Sequence, residues 1–130
     1  MFDTKDQMLI EALSKAGSYL SGNELGAALN MSRVAIGKRL HALQAAGLPL
    51  QAKAATGYRL KKGFIPLAHS AILEHLDQVA AAKVRSSEIH ISLDSTNAQI
   101  ESIALSSGQA GFVATEIQQF GKGRRSNQWF

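Results

Sequence analysis

The chain has 130 residues, of which 45% are hydrophobic and 18% charged, and its formal net charge is +4. This length holds one domain or two small ones and excludes a large multidomain enzyme, and the composition excludes a disordered tail. Because the sequence has no cysteine, disulfides, thiolate metal sites and cysteine nucleophiles are excluded. No apolar run reaches the roughly 18 residues of a bilayer span and no signal-peptide pattern is present, so we expect a cytoplasmic protein without membrane contact.

The charge is distributed unevenly along the chain. Residues 1–63 carry nine basic and four acidic side chains, whereas residues 64–130 carry five basic and six acidic ones. This difference indicates two units with different partners, and a basic first unit favours a polyanion such as nucleic acid. Charge alone leaves open the alternative that the positive balance serves only solubility.

The first unit begins with three predicted helices. Apolar residues at helical spacing predict a helix over residues 5–16, with Asp6 among its solvent-facing charges. A second, short helix follows Ser21 and Glu24, which have the spacing of a capping box. Ser32 then caps a third helix. Two helices joined by a turn of a few residues are typical of a helix-turn-helix motif.

The third predicted helix has a face that suits the major groove of DNA. That face lies opposite the apolar stripe and comprises Ser32, Arg33, Val34, Gly37, Lys38 and His41. Basic side chains reach acceptors on base edges there, and an apolar side chain contacts a thymine methyl group. A solvated helix face is the alternative, but the helix-turn-helix order favours DNA binding.

Two short strands predict a hairpin, or wing, after the third helix. They span residues 48–53 and 57–60 and must pack apolar side chains against the helices, because a lone hairpin is marginal in water. Basic and hydroxyl side chains in or beside the wing are expected to contact phosphates, namely Lys53, Thr56, Arg59 and Lys61. Residues 61–66 form the predicted linker to the second unit.

The second unit alternates predicted helices and strands. The helices span residues 69–82 and 96–106 and the strands residues 89–93 and 112–117, followed by a basic, glycine-containing loop over residues 118–128. This order predicts an α/β layer, yet two helices and two strands cannot close a core. We therefore expect the second unit to be the first part of a larger domain.

Candidate chemistry in the second unit is limited to polar segments beside the strands. Residues 121–126 combine glycines with three cations, an arrangement that closes around an anion, although an exposed basic loop is the alternative. They match neither the P-loop nor the dinucleotide-binding fingerprint. Residues 94–97 suit a helix cap as well as a ligand site. The four histidines lack metal-ligand spacing, so we expect no metal site.

Taken together, several segments resemble the family of bifunctional biotin-protein ligases and biotin operon repressors. Segments in the first unit that are shared with many repressors comprise residues 21–26, 31–38 and 57–60. The specific part of the resemblance is Asp94-Ser95-Thr96-Asn97, followed by residues 118–125 and then by Trp129-Phe130.

The resemblance implies an α+β fold and two activities. A winged helix-turn-helix domain at residues 1–63 would precede the truncated start of an α/β biotin-ligase catalytic domain at residues 64–130. The family joins biotin to ATP, with Mg²⁺ accompanying the nucleotide, to form biotinyl-5'-adenylate and pyrophosphate. It then passes biotin to a lysine of a biotin carboxyl carrier protein. The resemblance also implies binding to operator DNA, repression of biotin synthesis and a ligand-promoted homodimer of the full-length protein.

The family pattern also assigns roles to individual residues. The residues implied for biotin are Ser95, Thr96, Asn97, Gln118, Lys122, Gly123 and Arg124, and those implied for the adenylate loop are Gly121, Arg125, Ser126 and Trp129. Cations suit this chemistry because a carboxylate attacks a phosphate, and a closing loop keeps water from the mixed anhydride. The family's catalytic lysine would lie beyond Phe130, so we expect no catalytic residue within this chain and no ligation by the chain alone.

Two departures from the family pattern affect the basic loop. Lys122 replaces the usual arginine, which turns a planar bidentate contact into a point charge. Ser126 replaces a customary glycine and stiffens the backbone. Two other functions stay open: a winged-helix regulator whose second unit only senses a ligand or dimerises, and a winged helix that stabilises an enzyme without binding DNA.

Overall fold

A computed structural model gives the structure of the chain and describes residues 1–121. The chain divides between Pro66 and Leu67 into two compact units, called here unit 1 and unit 2. No helix within the described residues is long and apolar enough to cross a membrane.

Unit 1 consists of three helices followed by a hairpin. The elements in chain order are α1 (Thr4–Ala16), α2 (Gly22–Leu29), α3 (Arg33–Ala45), β1 (Leu50–Lys53) and β2 (Gly57–Leu60). Every element of the predicted helix-turn-helix and wing is therefore present, with β1 beginning two residues later than predicted. This arrangement confirms the predicted winged helix-turn-helix fold.

Side-chain caps define the start of each helix in unit 1. The predicted capping box of α2 is present, because Ser21 Oγ accepts from the Glu24 amide and Glu24 Oε2 accepts from the Ser21 amide at 2.7 Å. Ser32 caps α3, as predicted. Asp3 and Asp6 form a second capping box at α1. The prediction that Asp6 faces solvent is wrong, since only 3% of this residue is exposed.

The core of unit 1 is aliphatic and lies between the three helices and the wing. Its buried side chains are Leu9, Ile10, Leu13, Leu25, Ile36, Leu40, Leu43, Leu48, Leu50 and Leu60. Leu50 and Leu60 come from opposite strands of the hairpin and are directly paired in its antiparallel register. The wing is therefore stabilised by burial against the helices, as a two-stranded hairpin requires.

The wing is also hydrogen bonded to the connection between α1 and α2. Leu20 and Tyr58 form an antiparallel bridge, in which the Leu20 amide donates to the Tyr58 carbonyl at 2.9 Å and the Tyr58 amide donates back at 2.8 Å. Gly57 permits this approach, because a Cβ atom there would clash with the Leu20 carbonyl and its φ angle is +128°. The wing thus has a fixed position relative to the helices.

In its described part, up to residue 121, unit 2 contains three short helices and two parallel strands. In chain order they are α4 (His69–Glu74), α5 (Gln78–Lys83), β3 (Val84–Leu93), α6 (Thr96–Glu101) and β4 (Ala110–Gln118). The strands β3 and β4 pair in parallel along nearly their whole length. This start of an α/β layer agrees with the predicted fold class.

Several predicted boundaries in unit 2 are wrong. The single helix expected over residues 69–82 is two helices. The first ends at Glu74, and Asp77 caps the second by accepting from the Ala80 amide at 2.7 Å. The α6 helix ends at Glu101 instead of continuing to residue 106. Both strands are longer than predicted, since backbone pairing between them extends beyond their apolar segments.

Candidate nucleic-acid interface and ligand site

The α3 helix places the predicted DNA-contacting residues on one accessible side of unit 1. Ile36, Leu40 and Leu43 are buried on its opposite side, as the apolar stripe predicts. The side chain of Val34 is the most apolar group on the accessible side, and 68% of this residue is exposed. The polar side chains exposed with it are Ser32, Arg33, Lys38 and His41. Gly37 is half-buried between them.

One cation of α3 serves the structure of unit 1. Arg39 is half-buried and donates to Asp3 at 2.9 and 3.0 Å and to Asp6 at 2.9 Å. Hydrogen bonding to Arg39 lowers the pKa of Asp3, and the two carboxylates raise the pKa of Arg39. This ion-pair network ties the start of α1 to the middle of α3 and leaves Lys38 and Arg33 as the exposed cations of that helix.

The wing presents two of its predicted phosphate-contacting residues and holds a third in place. Lys53 and Thr56 are exposed. Arg59 is half-buried, its Nε donates to Gln51 Oε1 at 2.8 Å, and its guanidinium carbon lies 4.6 Å from the ring centroid of Tyr19. The cation–π contact and the hydrogen bond orient this arginine within the wing.

A cleft of about 400 Å³ lies between the start of α2, the start of α3 and the wing. Arg33, Lys53 and Thr56, all predicted DNA contacts, line it together with Tyr58 and Asn23. The sequence patterns do not indicate a binding role for Tyr58 or Asn23. The alternating pattern of a strand does not predict that Tyr58 lies close to α3, because the distance between the wing and α3 depends on tertiary packing.

The predicted biotin contacts in the described part of unit 2 meet at the carboxyl ends of β3 and β4. Gln118 Oε1 accepts from the amide of Thr96 at 2.9 Å and from its hydroxyl group at 3.1 Å. Ser95 Oγ accepts from the Ala98 amide at 3.4 Å, so it caps α6. Asn97 is exposed on the first turn of α6. The carboxyl ends of parallel strands are where α/β proteins commonly bind ligands.

The backbone brings the two sequence segments of this predicted ligand site together. The Gln119 amide donates to the Leu93 carbonyl and the Phe120 amide to the Asp94 carbonyl, each at 2.9 Å. Gly121 is buried at the end of this pairing. The remaining predicted ligand and loop residues lie outside the described residues; they are Lys122, Gly123, Arg124, Arg125, Ser126 and Trp129.

Two further carboxylates in unit 2 have shifted pKa values. Hydrogen bonds from His90, at 2.8 Å, and from Gln99 lower the pKa of Glu88. Burial raises the pKa of Glu116, which accepts from the Leu67 amide at 2.5 Å. Within residues 1–121, no group of three or more His, Asp or Glu side chains is placed to hold a metal ion.

Most of unit 1 matches a known domain family. Residues 6–59, which extend from α1 into β2, match the family model described as an HTH domain. The chain therefore carries a winged helix-turn-helix domain followed by the start of an α/β layer.

The comparison also identifies the particular proteins that this chain resembles, which are named bifunctional ligase/repressor BirA. The chain is 35% identical to the protein from Escherichia coli strain K12 and 34% identical to that from Salmonella typhimurium, in both cases over 100% of the chain and 39% of the relative. It is 32% identical to the protein from Bacillus subtilis strain 168 over 99% of the chain and 40% of the relative. The resemblance predicted from the sequence segments is confirmed, and the chain spans about two fifths of the length of these relatives.

Proposed function

We propose that this chain is the DNA-binding and biotin-recognising part of a bifunctional biotin-protein ligase and transcriptional repressor. The observation that carries the proposal is the exposed polar side of α3 beside a fixed wing, in a chain similar along its whole length to proteins named ligase/repressor. In this proposal unit 1 binds operator DNA and unit 2 contributes to the ligand site.

The mechanism of DNA binding follows from the accessible side of α3. The helix lies in the major groove, with Lys38 and Arg33 toward base-edge acceptors and phosphates and Val34 toward a thymine methyl group. Lys53 and Thr56 contact the sugar-phosphate backbone from the wing, which sets the register of α3 without reading sequence. His41 extends this surface along α3, and Lys61 extends it just after the wing.

The mechanism at the ligand site follows from the polar groups at the ends of β3 and β4. Ser95, Thr96, Asn97 and Gln118 supply donors and acceptors for biotin, and the basic residues that follow Gly121 neutralise the biotin carboxylate and the ATP phosphates. Attack of that carboxylate on the α-phosphate forms biotinyl-5'-adenylate and releases pyrophosphate. These cations offset the repulsion between the two anions. A carrier-protein lysine then takes up the biotinyl group and AMP leaves.

Mg²⁺ is proposed to accompany ATP. A ligand-promoted homodimer and the carrier protein are proposed as partners of the full-length protein. Ligation is proposed to need residues beyond this chain. We therefore expect no biotin-dependent release of pyrophosphate from ATP by the 130-residue chain, and such release would contradict this part of the proposal.

DNA binding is tested with the 130-residue chain and a fluorescent duplex of mixed sequence. Anisotropy titrations at several salt concentrations give the slope of log K against log[salt], whose magnitude is about 0.9 for each phosphate that the protein neutralises. We expect Lys38→Ala to weaken binding severalfold and to reduce the slope by up to this amount.

The control for this experiment is Lys15→Ala, which removes the same charge from an exposed position in the last turn of α1. We expect this variant to change the affinity by less than about twofold. Equal effects of the two substitutions would contradict the placement of α3 in the major groove. The absence of any salt-dependent binding would contradict the DNA-binding function itself.

A further inference from the structure

The cleft of unit 1 brings cations from two separate elements to one concave surface. Arg33 comes from the first turn of α3 and Lys53 from the end of β1, and both line the cleft. None of the described residues that line it is acidic. Two cations facing one concavity without a carboxylate among them attract an anion, because the potential of like charges is focused in a cleft.

A glycine allows Arg33 to lie along the wall of this cleft. A Cβ atom on Gly22 would come within 3.1 Å of Arg33 Cγ, which shows that the stem of the arginine crosses directly over this glycine. Any larger side chain at Gly22 would displace the stem. The position of the guanidinium group is therefore coupled to the absence of a side chain on the first residue of α2.

The neutral groups in the cleft also suit a phosphate group. Tyr58 supplies a hydroxyl group and Asn23 an amide group. Thr56 also lines the cleft, and its hydroxyl group donates to the Ala54 carbonyl at 3.3 Å. Protein contacts to DNA phosphates come from basic side chains and from hydroxyl and amide groups of this kind. The volume of about 400 Å³ exceeds that of a lone phosphate group, so it also accommodates the adjoining sugars.

Tyr58 lies between the cleft and α3. A Cβ atom on Gly37 would lie 3.8 Å from the Tyr58 hydroxyl oxygen, so this ring reaches the same side of α3 that carries Lys38. A group bound in the cleft is consequently held at a set distance from that side of α3. Such an anchor fixes how α3 meets the bases.

We propose that this cleft seats a single phosphodiester group of the DNA backbone, which Arg33 and Lys53 neutralise together. This inference deepens the proposed function and rests on DNA binding by unit 1. It differs from a set of independent surface contacts, because both cations share one phosphate and Gly22 is needed to place one of them.

The test measures whether the two cations act on the same phosphate. With the 130-residue chain and the same duplex, Arg33→Ala and Lys53→Ala each weaken binding, and the double variant reduces the salt slope by about 0.9, the value for one phosphate. Cations on two separate phosphates would instead reduce the slope by about 1.8 in the double variant. That result, or unchanged binding in both single variants, overturns the shared site.

A second variant, Gly22→Ala, retains both charges and moves only the stem of Arg33. We expect it to weaken DNA binding about threefold while thermal stability changes little, because the tight contact between the new Cβ and Arg33 Cγ opposes the better helix propensity of alanine. The same substitution in the Arg33→Ala background should then have little effect on binding. Equal weakening in both backgrounds would show that Gly22 does not act through the arginine.

The source of the phosphate is tested separately with inorganic phosphate. Titration at constant ionic strength is followed through the amide NMR signals of Gly22 and Lys53, with chloride as the control anion. Weak, non-saturating shifts together with the shared-site result support a backbone phosphodiester. Saturation by free phosphate, with duplex binding unaffected by Arg33→Ala and Lys53→Ala, would overturn the proposal.

The cleft proposal and the DNA-binding function can fail separately. If Lys38→Ala weakens DNA binding while the cleft variants do not, only the cleft proposal fails.

Discussion

At the scale of single residues, the basic character of unit 1 is divided between structure and surface. Arg39 is engaged by Asp3 and Asp6, and Arg59 is oriented by Gln51 and Tyr19. The number of cations in the sequence therefore overstates the number that are free to meet a polyanion. Removing Arg39 would leave the buried carboxylate of Asp6 without its ion-pair partner. Such a change is strongly destabilising because the remaining buried charge is uncompensated.

The capping carboxylate Glu24 makes the stability of unit 1 dependent on pH. Hydrogen bonding to the Ser21 amide lowers the pKa of Glu24 below its ordinary value of 4.5. A carboxyl group whose pKa is lower in the folded state stabilises the fold above its unfolded pKa, and this contribution is lost as pH falls through the folded pKa. We expect the Tm of the chain, measured by circular dichroism, to fall between pH 7 and pH 3.

The variant Glu24→Gln isolates this contribution, because glutamine also completes a capping box but does not titrate. Its loss of Tm between pH 7 and pH 3 should be smaller than that of the unmodified chain. The remaining loss includes Asp3, whose pKa Arg39 lowers. Glu11→Gln, at an exposed position of α1, serves as the charge-matched control. An identical loss of Tm in Glu24→Gln and the unmodified chain would show that the capping bond does not stabilise the carboxylate.

A side-chain contact can be predicted from the sequence when its partners lie close together along the chain. The capping box of Ser21 and Glu24 is readable because its members are three residues apart. The burial of Asp6 is not readable, because the cation that accompanies it, Arg39, is 33 residues away. In the predicted ligand site, family resemblance indicates the polar segments, whereas the hydrogen bond between Thr96 and Gln118 depends on the parallel pairing of two strands.

At the scale of elements, the wing is held by the α1–α2 connection as well as by its own hairpin. The bridge between Leu20 and Tyr58 adds a short third segment beside β2. Gly57 lies at the closest approach, where its backbone has a φ of +128° and no room for a side chain. Tyr58, the next residue, lines the cleft. Damage at Gly57 should therefore affect both the fold of the wing and DNA binding.

The substitution Gly57→Ala tests this dependence. We expect it to destabilise the chain by about 3 kcal/mol or more, because the new Cβ would clash with the Leu20 backbone and the φ angle is unfavourable for alanine. Gly17→Ala is the matched control, since Gly17 has a positive φ of +62° but open space around it. That variant should cost only about 1 kcal/mol. Urea unfolding measures both values, and equal costs would contradict the clash.

The helices and strands are predicted well where local sequence signals are strong. Their bounds are predicted poorly where pairing with a distant segment determines them. The three helices of unit 1 have apolar stripes and capping residues, and their predicted positions are nearly those of the structure. In unit 2, Asp77 caps a new helix, yet the sequence predicts a continuous one because helical spacing of apolar residues continues across it. The full length of β3 is not predictable because residues 84–88, its first half, lack strand alternation and are defined by pairing with β4.

At the scale of the whole chain, the two units differ in how much apolar surface they bury. Ten buried hydrophobic side chains in the described residues belong to unit 1, and Ile91 is the one in the described part of unit 2. Several large apolar side chains of unit 2 are exposed, among them Val79 and Phe120. Burial of apolar surface is the dominant stabilising contribution to folding, so unit 1 should hold most of the stability of this chain.

Amide hydrogen exchange tests this difference on the intact 130-residue chain. We expect amides of Leu13 and Leu40, in buried positions of α1 and α3, to exchange about 100-fold more slowly than those of Leu73 and Ile100 in unit 2, which corresponds to about 3 kcal/mol in opening free energy. Within unit 2, Ile91 should exchange most slowly, since it is buried and its strand is paired with β4. Equal protection in the two units would mean that they unfold together, and the stability of unit 1 would then depend on unit 2.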